Sequence, residues 1–134
     1  MSEPQQAAAI PFRRDSRGTA FCLITKSVSQ EWGIPKGSIE SANTPQETAL
    51  QEAREEAGLE GRIVGDCVGT YQHEKWGVTL TVAVFMMEVT SAADYWEEQA
   101  YRDRRWLPPE EATALLEEHP IRELFAAVVQ HLAR

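Results

Sequence analysis

The stretch Gly37–Leu59, GSIESANTPQETALQEAREEAGL, constrains the chain most, because it marks both ends of a short helix and loads one edge of it with carboxylates. Thr44 reads as the N-cap, Pro45 takes the first helical position, and Glu47 follows three residues after the cap, the spacing of a capping box. Gly58 is the stop, since glycine most readily takes the left-handed conformation that ends a helix. A helix over 45–57 follows. With Glu52 at zero and about 100° per residue, Glu56 falls near about 40° and Glu55 near about 300°. Ala49, Leu50, Ala53 and Ala57 fill the arc between about 60° and about 160°. Glu52, Glu55 and Glu56 therefore border the apolar stripe, where a cleft-lining side chain belongs.

That placement works against the helix itself. The pairs Glu52–Glu55 and Glu52–Glu56 cost roughly 0.2–0.5 kcal/mol each as like charges. Glu55 and Glu56 also lie in the last turn, where the helix dipole disfavours an anion by roughly 0.3–1 kcal/mol. A solvated acidic face is the ordinary explanation of such a run. A compensating cation is the other, and carboxylates on one edge suit hard oxygen-seeking ions, magnesium or manganese above all.

The segment resembles the Nudix box: Gly, five residues, Glu, seven residues, Arg-Glu, an aliphatic residue, any residue, Glu-Glu, any residue, Gly, aliphatic. Gly37, Glu52, Ala53, Glu55, Glu56, Gly58 and Leu59 fall in register. Asn43 stands where the pattern has its first Glu, and Gln51 where it has Arg. The preceding Trp32-Gly-Ile-Pro-Lys-Gly37 is similar to the lead-in of some Nudix enzymes. The resemblance implies an α/β fold, a Nudix-type alpha/beta/alpha sandwich with a mixed sheet, over one domain spanning residues 1–134. It implies a metal-dependent hydrolase of phosphate-anhydride bonds in nucleoside-diphosphate-linked or polyphosphate compounds, with Mg2+ or Mn2+ as cofactor. Glu52, Glu55 and Glu56 become the catalytic set. Glu52 and Glu56 are metal ligands by this resemblance, Glu55 is a third ligand or activates the water, and Gly37 belongs to the metal site. A further carboxylate is expected from the loop Tyr95-Trp-Glu-Glu98, with Glu98 preferred over Glu97. The amides Asn43 and Gln51 are expected to hydrogen-bond each other, or a neighbouring box carboxylate, in place of an ion pair.

Lys36, Arg13, His73 and Lys75 are the candidate phosphate contacts; Arg14, Arg102, Arg104 and Arg105 read mostly as surface charge. Three outer details resemble the branch acting on diadenosine polyphosphates and diphosphoinositol polyphosphates. They are the Trp-x-x-Pro-Lys-Gly lead-in, Gly69-x-Tyr71 followed by Lys75, and Trp96-x-Glu98 followed by Arg102-x-Arg104-x-Trp106. A pyrophosphatase that cleanses the nucleotide pool of damaged triphosphates is the alternative enzyme, and a catalytically weak binding module of the same fold the alternative outside catalysis.

Composition narrows the partners. At 134 residues the chain has the length of one ordinary domain, and its formal net charge of −8 argues against a general nucleic-acid binder. A small polyphosphate remains compatible, because a divalent ion masks local repulsion. Cys22 and Cys67 show no metal-ligand spacing and read as buried reduced thiols. Neither a secretory leader nor an apolar run of membrane-spanning length is visible, so a cytoplasmic protein without a membrane partner is expected, as monomer or homodimer. Strands are expected over 6–14, 19–26, about 62–73 and 78–89. The last, apolar on both faces, reads as a central strand. A short strand ends near Trp106-Leu107, Pro108-Pro109 opens a short helix, and Ile121, Leu124, Phe125, Val128 and Leu132 mark the core face of a final helix.

Overall fold

Residues 3–133 are described by the computed structural model. Among them run β1 (Gln6–Asp15), β2 (Gly18–Thr25), β3 (Trp32–Gly33), β4 (Lys36–Ser38), α1 (Pro45–Ala57), β5 (Leu59–Lys75), β6 (Val78–Ala92), β7 (Arg104–Leu107), α2 (Pro109–Leu115) and α3 (Arg122–Leu132). The strands form one mixed sheet in the order β3-β2-β1-β6-β5, with β4 added to β1 and β7 to β2. β1 and β6 are parallel, from Gln6 beside Val82 to Phe12 beside Glu88. The other pairings are antiparallel.

Strand alternation divides the core between the two faces of this sheet. On β1, Ala7 and Ala9 point to one side with Ala83, Phe85 and Met87 of β6, and there meet Ala49, Ala53 and Ala57 of α1. Alanine on both surfaces lets the helix lie close to the sheet. Ala8, Ile10 and Phe12 point to the other side with Val82, Val84 and Met86, under Leu116, Phe125, Val128 and Leu132. Phe21 meets Phe125 edge-on there, centroids 4.8 Å apart. The architecture is the expected alpha/beta/alpha sandwich, and β6 is buried on both faces as its sequence required.

The helix over 45–57 ends where its punctuation indicates. Thr44 Oγ accepts from the Glu47 N–H at 3.1 Å while Glu47 Oε1 accepts from the Thr44 N–H at 2.8 Å. Gly58 is left-handed at φ 68°, and a Cβ there would lie 2.7 Å from Trp96 Cβ, so the position excludes side chains by space as well as by conformation.

Two expectations need correction. β5 begins directly after Gly58 and reaches Lys75, beyond the expected 62–73, because its long antiparallel partner β6 supplies hydrogen bonds along that length. Its register breaks between Val64, opposite Met86, and Gly69, opposite Val84. Residues 65–68 thus bulge opposite Phe85 alone, and Cys67 is exposed, not buried. Cys22 is buried as expected, and burial pushes its thiol up to about 12.

Candidate active site

Glu52 and Glu56 of α1 face a cleft of about 490 Å³ at the end of the sheet where β1 begins and β2 finishes, whereas Glu55 lines a neighbouring hollow with Trp96 and Glu97. Glu52 and Glu56 line the cleft from the helix, and Gln6, Thr25, Lys36 and Gly37 from the strands. Each carboxylate is held by a different device. The Glu52 carboxylate lies directly over Gly37, where a Cβ would stand 2.3 Å from its Cδ. Glu56 is only 7% exposed, and its Oε1 accepts from the Lys36 backbone N–H at 3.3 Å. Glu98 comes from the loop after β6, tied to α1 by its own N–H donating to the Glu55 carbonyl at 3.2 Å. Carboxylate oxygens of Glu55, Glu97 and Glu98 lie within 4.8 Å of one another.

Against this negative charge stands Arg102, which the sequence left among surface arginines. Its Nε donates to Glu98 Oε1 at 2.6 Å, its Nη2 lies 3.6 Å from Glu56 Oε2, and its Nη1 donates to the Thr25 carbonyl at 2.9 Å. Even so, Glu56 is pushed up from its ordinary 4.5 to about 8, because burial outweighs Arg102, and Glu52 and Glu98 add to the rise. Glu52 is raised too, by burial first. The site holds more carboxylate than its own cations can ionise near neutral pH, and hard oxygen donors short of positive charge fit a divalent ion.

The C-terminal end of α1 receives the compensation its acidic last turn calls for. Trp96 Nε1 donates to the Glu56 carbonyl at 2.9 Å and Arg104 Nη1 to the Ala57 carbonyl at 2.7 Å. Arg104 also stacks on Trp96, 4.2 Å from the ring centre. A cation at these carbonyls offsets the dipole that Glu55 and Glu56 oppose.

Of the candidate phosphate contacts, Lys36, His73 and Lys75 line the cleft. Lys36 Nζ lies 3.4 Å from His73 Nε2, and both groups are shifted down, by burial before neighbouring positive charge. Lys26 and His119 line the same wall and were not singled out from sequence, since a lone Lys in a polar loop and a lone His between helices carry no local signal. Arg13 does not reach the cleft. It sits seven residues along β1 from Gln6, roughly 23 Å at about 3.3 Å per residue. There its guanidinium lies 4.0 Å over the Trp106 ring, which packs against the α1-side core.

The NUDIX domain profile matches residues 3–128. This chain belongs to the NUDIX domain family. Diphosphoinositol polyphosphate phosphohydrolase 3-alpha of Mus musculus is 27% identical over 117 residues, covering 86% of this chain and 70% of that protein. Its Homo sapiens counterpart is 26% identical over the same length and coverage. Among solved structures, an Ap4A hydrolase of C. elegans in a binary complex superposes with a TM-score of 0.83 at 20% identity, covering 98% of both chains. This Nudix protein is a hydrolase of phosphate-anhydride bonds.

The two departures from the Nudix box are linked to it. Asn43 Nδ2 donates to Gln51 Oε1 at 3.5 Å, and Gln51 Nε2 donates to Glu55 Oε2 at 2.9 Å. The amides thus form a relay ending on a box carboxylate. Converting the weak Asn43–Gln51 link into an ion pair, by Asn43→Glu with Gln51→Arg, is expected to tighten the apparent magnesium constant by about 1 kcal/mol, roughly fivefold. Each single change should gain less. Additivity in a double-mutant cycle on that constant would show that the positions act separately.

Proposed function

We propose that this Nudix hydrolase cuts anhydride bonds in highly charged polyphosphates of the diadenosine polyphosphate and diphosphoinositol polyphosphate kind, using Mg2+ or Mn2+. The observation that carries this reading is one cleft with Glu52 and Glu56 on one wall and Lys26, Lys36, His73 and Lys75 on the other, Arg102 between them and Glu98. Carboxylates without the basic wall would suit a metal alone; the wall calls for an anionic chain beside it.

Glu52, Glu56 and Glu98 would hold the cation, beside Gly37, whose missing side chain makes room for Glu52. Once bound, such an ion neutralises anhydride oxygens and acidifies a water. Lys36, Lys75 and Arg102 draw the anionic chain alongside. Glu55, anchored through Gln51, orients the water and takes its proton. The water oxygen bonds to phosphorus, the bridging P–O bond breaks, and the shortened phosphate leaves. No helix among the described residues is long and apolar enough to cross a membrane. A cytoplasmic site of action is part of this reading, where Cys22 and Cys67 stay reduced.

The test is a competition panel in magnesium: diadenosine tetraphosphate, a diphosphoinositol polyphosphate, ADP-ribose and oxidised nucleoside triphosphates. The charged polyphosphates are expected to be preferred by about tenfold or more, with the margin shrinking at high salt as exposed lysines are screened. A preference for ADP-ribose would sink the substrate assignment and leave the family intact.

A further inference from the structure

His119 lies half-buried between α2 and α3 and lines the cleft, and the chemistry above does not use it. Its Nδ1 accepts a hydrogen bond from the Ile121 backbone N–H at 3.0 Å. With Nδ1 committed as acceptor, the neutral ring carries its proton on Nε2. Tyr71 holds the ring edge-on, centroids 5.7 Å apart and planes at 70°. Nε2 faces the backbone of β3, where even a Cβ on Gly33 would stand 3.5 Å away. The glycine keeps the approach to that nitrogen free of a side chain. Among the described residues Nε2–H finds no acceptor.

The ionisable groups bearing on the ring are Lys26, Lys36 and His73, all basic. Burial first, and then these neighbours, push the imidazole down to about 4, so near neutral pH it is an uncharged donor of fixed direction. A donor in a wall of cations calls for an anionic acceptor.

We propose that His119, through Nε2–H, binds a phosphoryl oxygen of the polyphosphate chain and sets how far that chain slides past Glu52 and Glu56. This rests on the polyphosphate reading above. Lysine ammonium groups on flexible stems attract the chain in many registers, whereas an imidazole fixed at both its other edges accepts few. His119 is therefore a specificity-determining residue, selecting which anhydride bond meets the carboxylates.

Asparagine at 119 keeps an oxygen near the Nδ1 position for the Ile121 N–H but brings no donor to the Nε2 position, whereas glutamine brings an amide N–H there. The probe is imidodiphosphate, whose P–N–P bridge resists hydrolysis, titrated calorimetrically into the whole chain in magnesium. His119→Asn is expected to weaken binding about tenfold, and His119→Gln to stay within about threefold of wild type. Thermal unfolding of both variants should remain near that of the parent. Equal binding by wild type and a folded His119→Asn overturns the assignment and leaves the polyphosphate reading standing. Failure of the wild type to bind overturns both. If His119→Asn unfolds early, His119→Gln decides: near-parental binding supports the donor role, and lost binding in a folded protein overturns it.

Discussion

Glu56→Gln is expected to lower kcat in saturating magnesium by at least about a hundredfold, the scale on which loss of one electrostatic group at a reacting centre is felt. The amide keeps the shape of the side chain and can still accept from the Lys36 N–H, but it removes the anion opposite Arg102. Folding should survive, and its pH dependence provides a second readout. A carboxyl raised to about 8 binds its proton more tightly in the folded state than in the unfolded one. Its contribution to the metal-free protein is therefore fully present below its ordinary 4.5 and is lost as pH rises through about 8. Between about pH 5 and about pH 8 the metal-free wild type should lose thermal stability relative to Glu56→Gln, and divalent metal should close the gap. Near-parental turnover in the variant would remove Glu56 from the mechanism. Parallel pH profiles would mean that burial does not control its proton.

Gly37→Ala is expected to act on Glu52 without touching the helix. The added Cβ would lie 2.3 Å from Glu52 Cδ and 2.6 Å from each carboxylate oxygen, far inside contact distance. The obstructed atoms end a flexible side chain, so Glu52 swings aside and the fold absorbs the change at about 1 kcal/mol or less. The carboxylate then leaves its position beside Glu56, and activity should fall roughly ten- to hundredfold, the range typical when a ligand's supporting contact is lost. Adding Glu52→Gln to Gly37→Ala should cost little more, because both act through one group. Additive losses, or a protein that no longer folds, would defeat this account of the box glycine.

Much of this was legible because it is local. The limits of α1 follow from Thr44, Pro45, Glu47 and Gly58 within a single turn at each end, and the edge occupied by Glu52, Glu55 and Glu56 follows from helical period. The final helix and the doubly buried β6 were readable for the same reason, each carrying its periodicity in its own residues. Lys36 was found through its place beside the box glycine. Cys67 was misread because an apolar context is a local cue, whereas the bulge that exposes it depends on pairing with β6.

By itself the sequence determined a helix with an acidic edge, the reaction class it resembles, and the strands and helices that surround it. Tertiary structure alone decided which charges meet. Arg13 and Arg102 have the same chemistry, yet β1 carries the first to Trp106 while the loop before β7 brings the second between Glu56 and Glu98. Lys26 and His119 join one wall only because β2 ends where the α2–α3 loop passes over Gly33. Such encounters link residues tens of positions apart, and no period or spacing encodes them. They arise when the sheet closes, because burial and charge at a point depend on every element that reaches it.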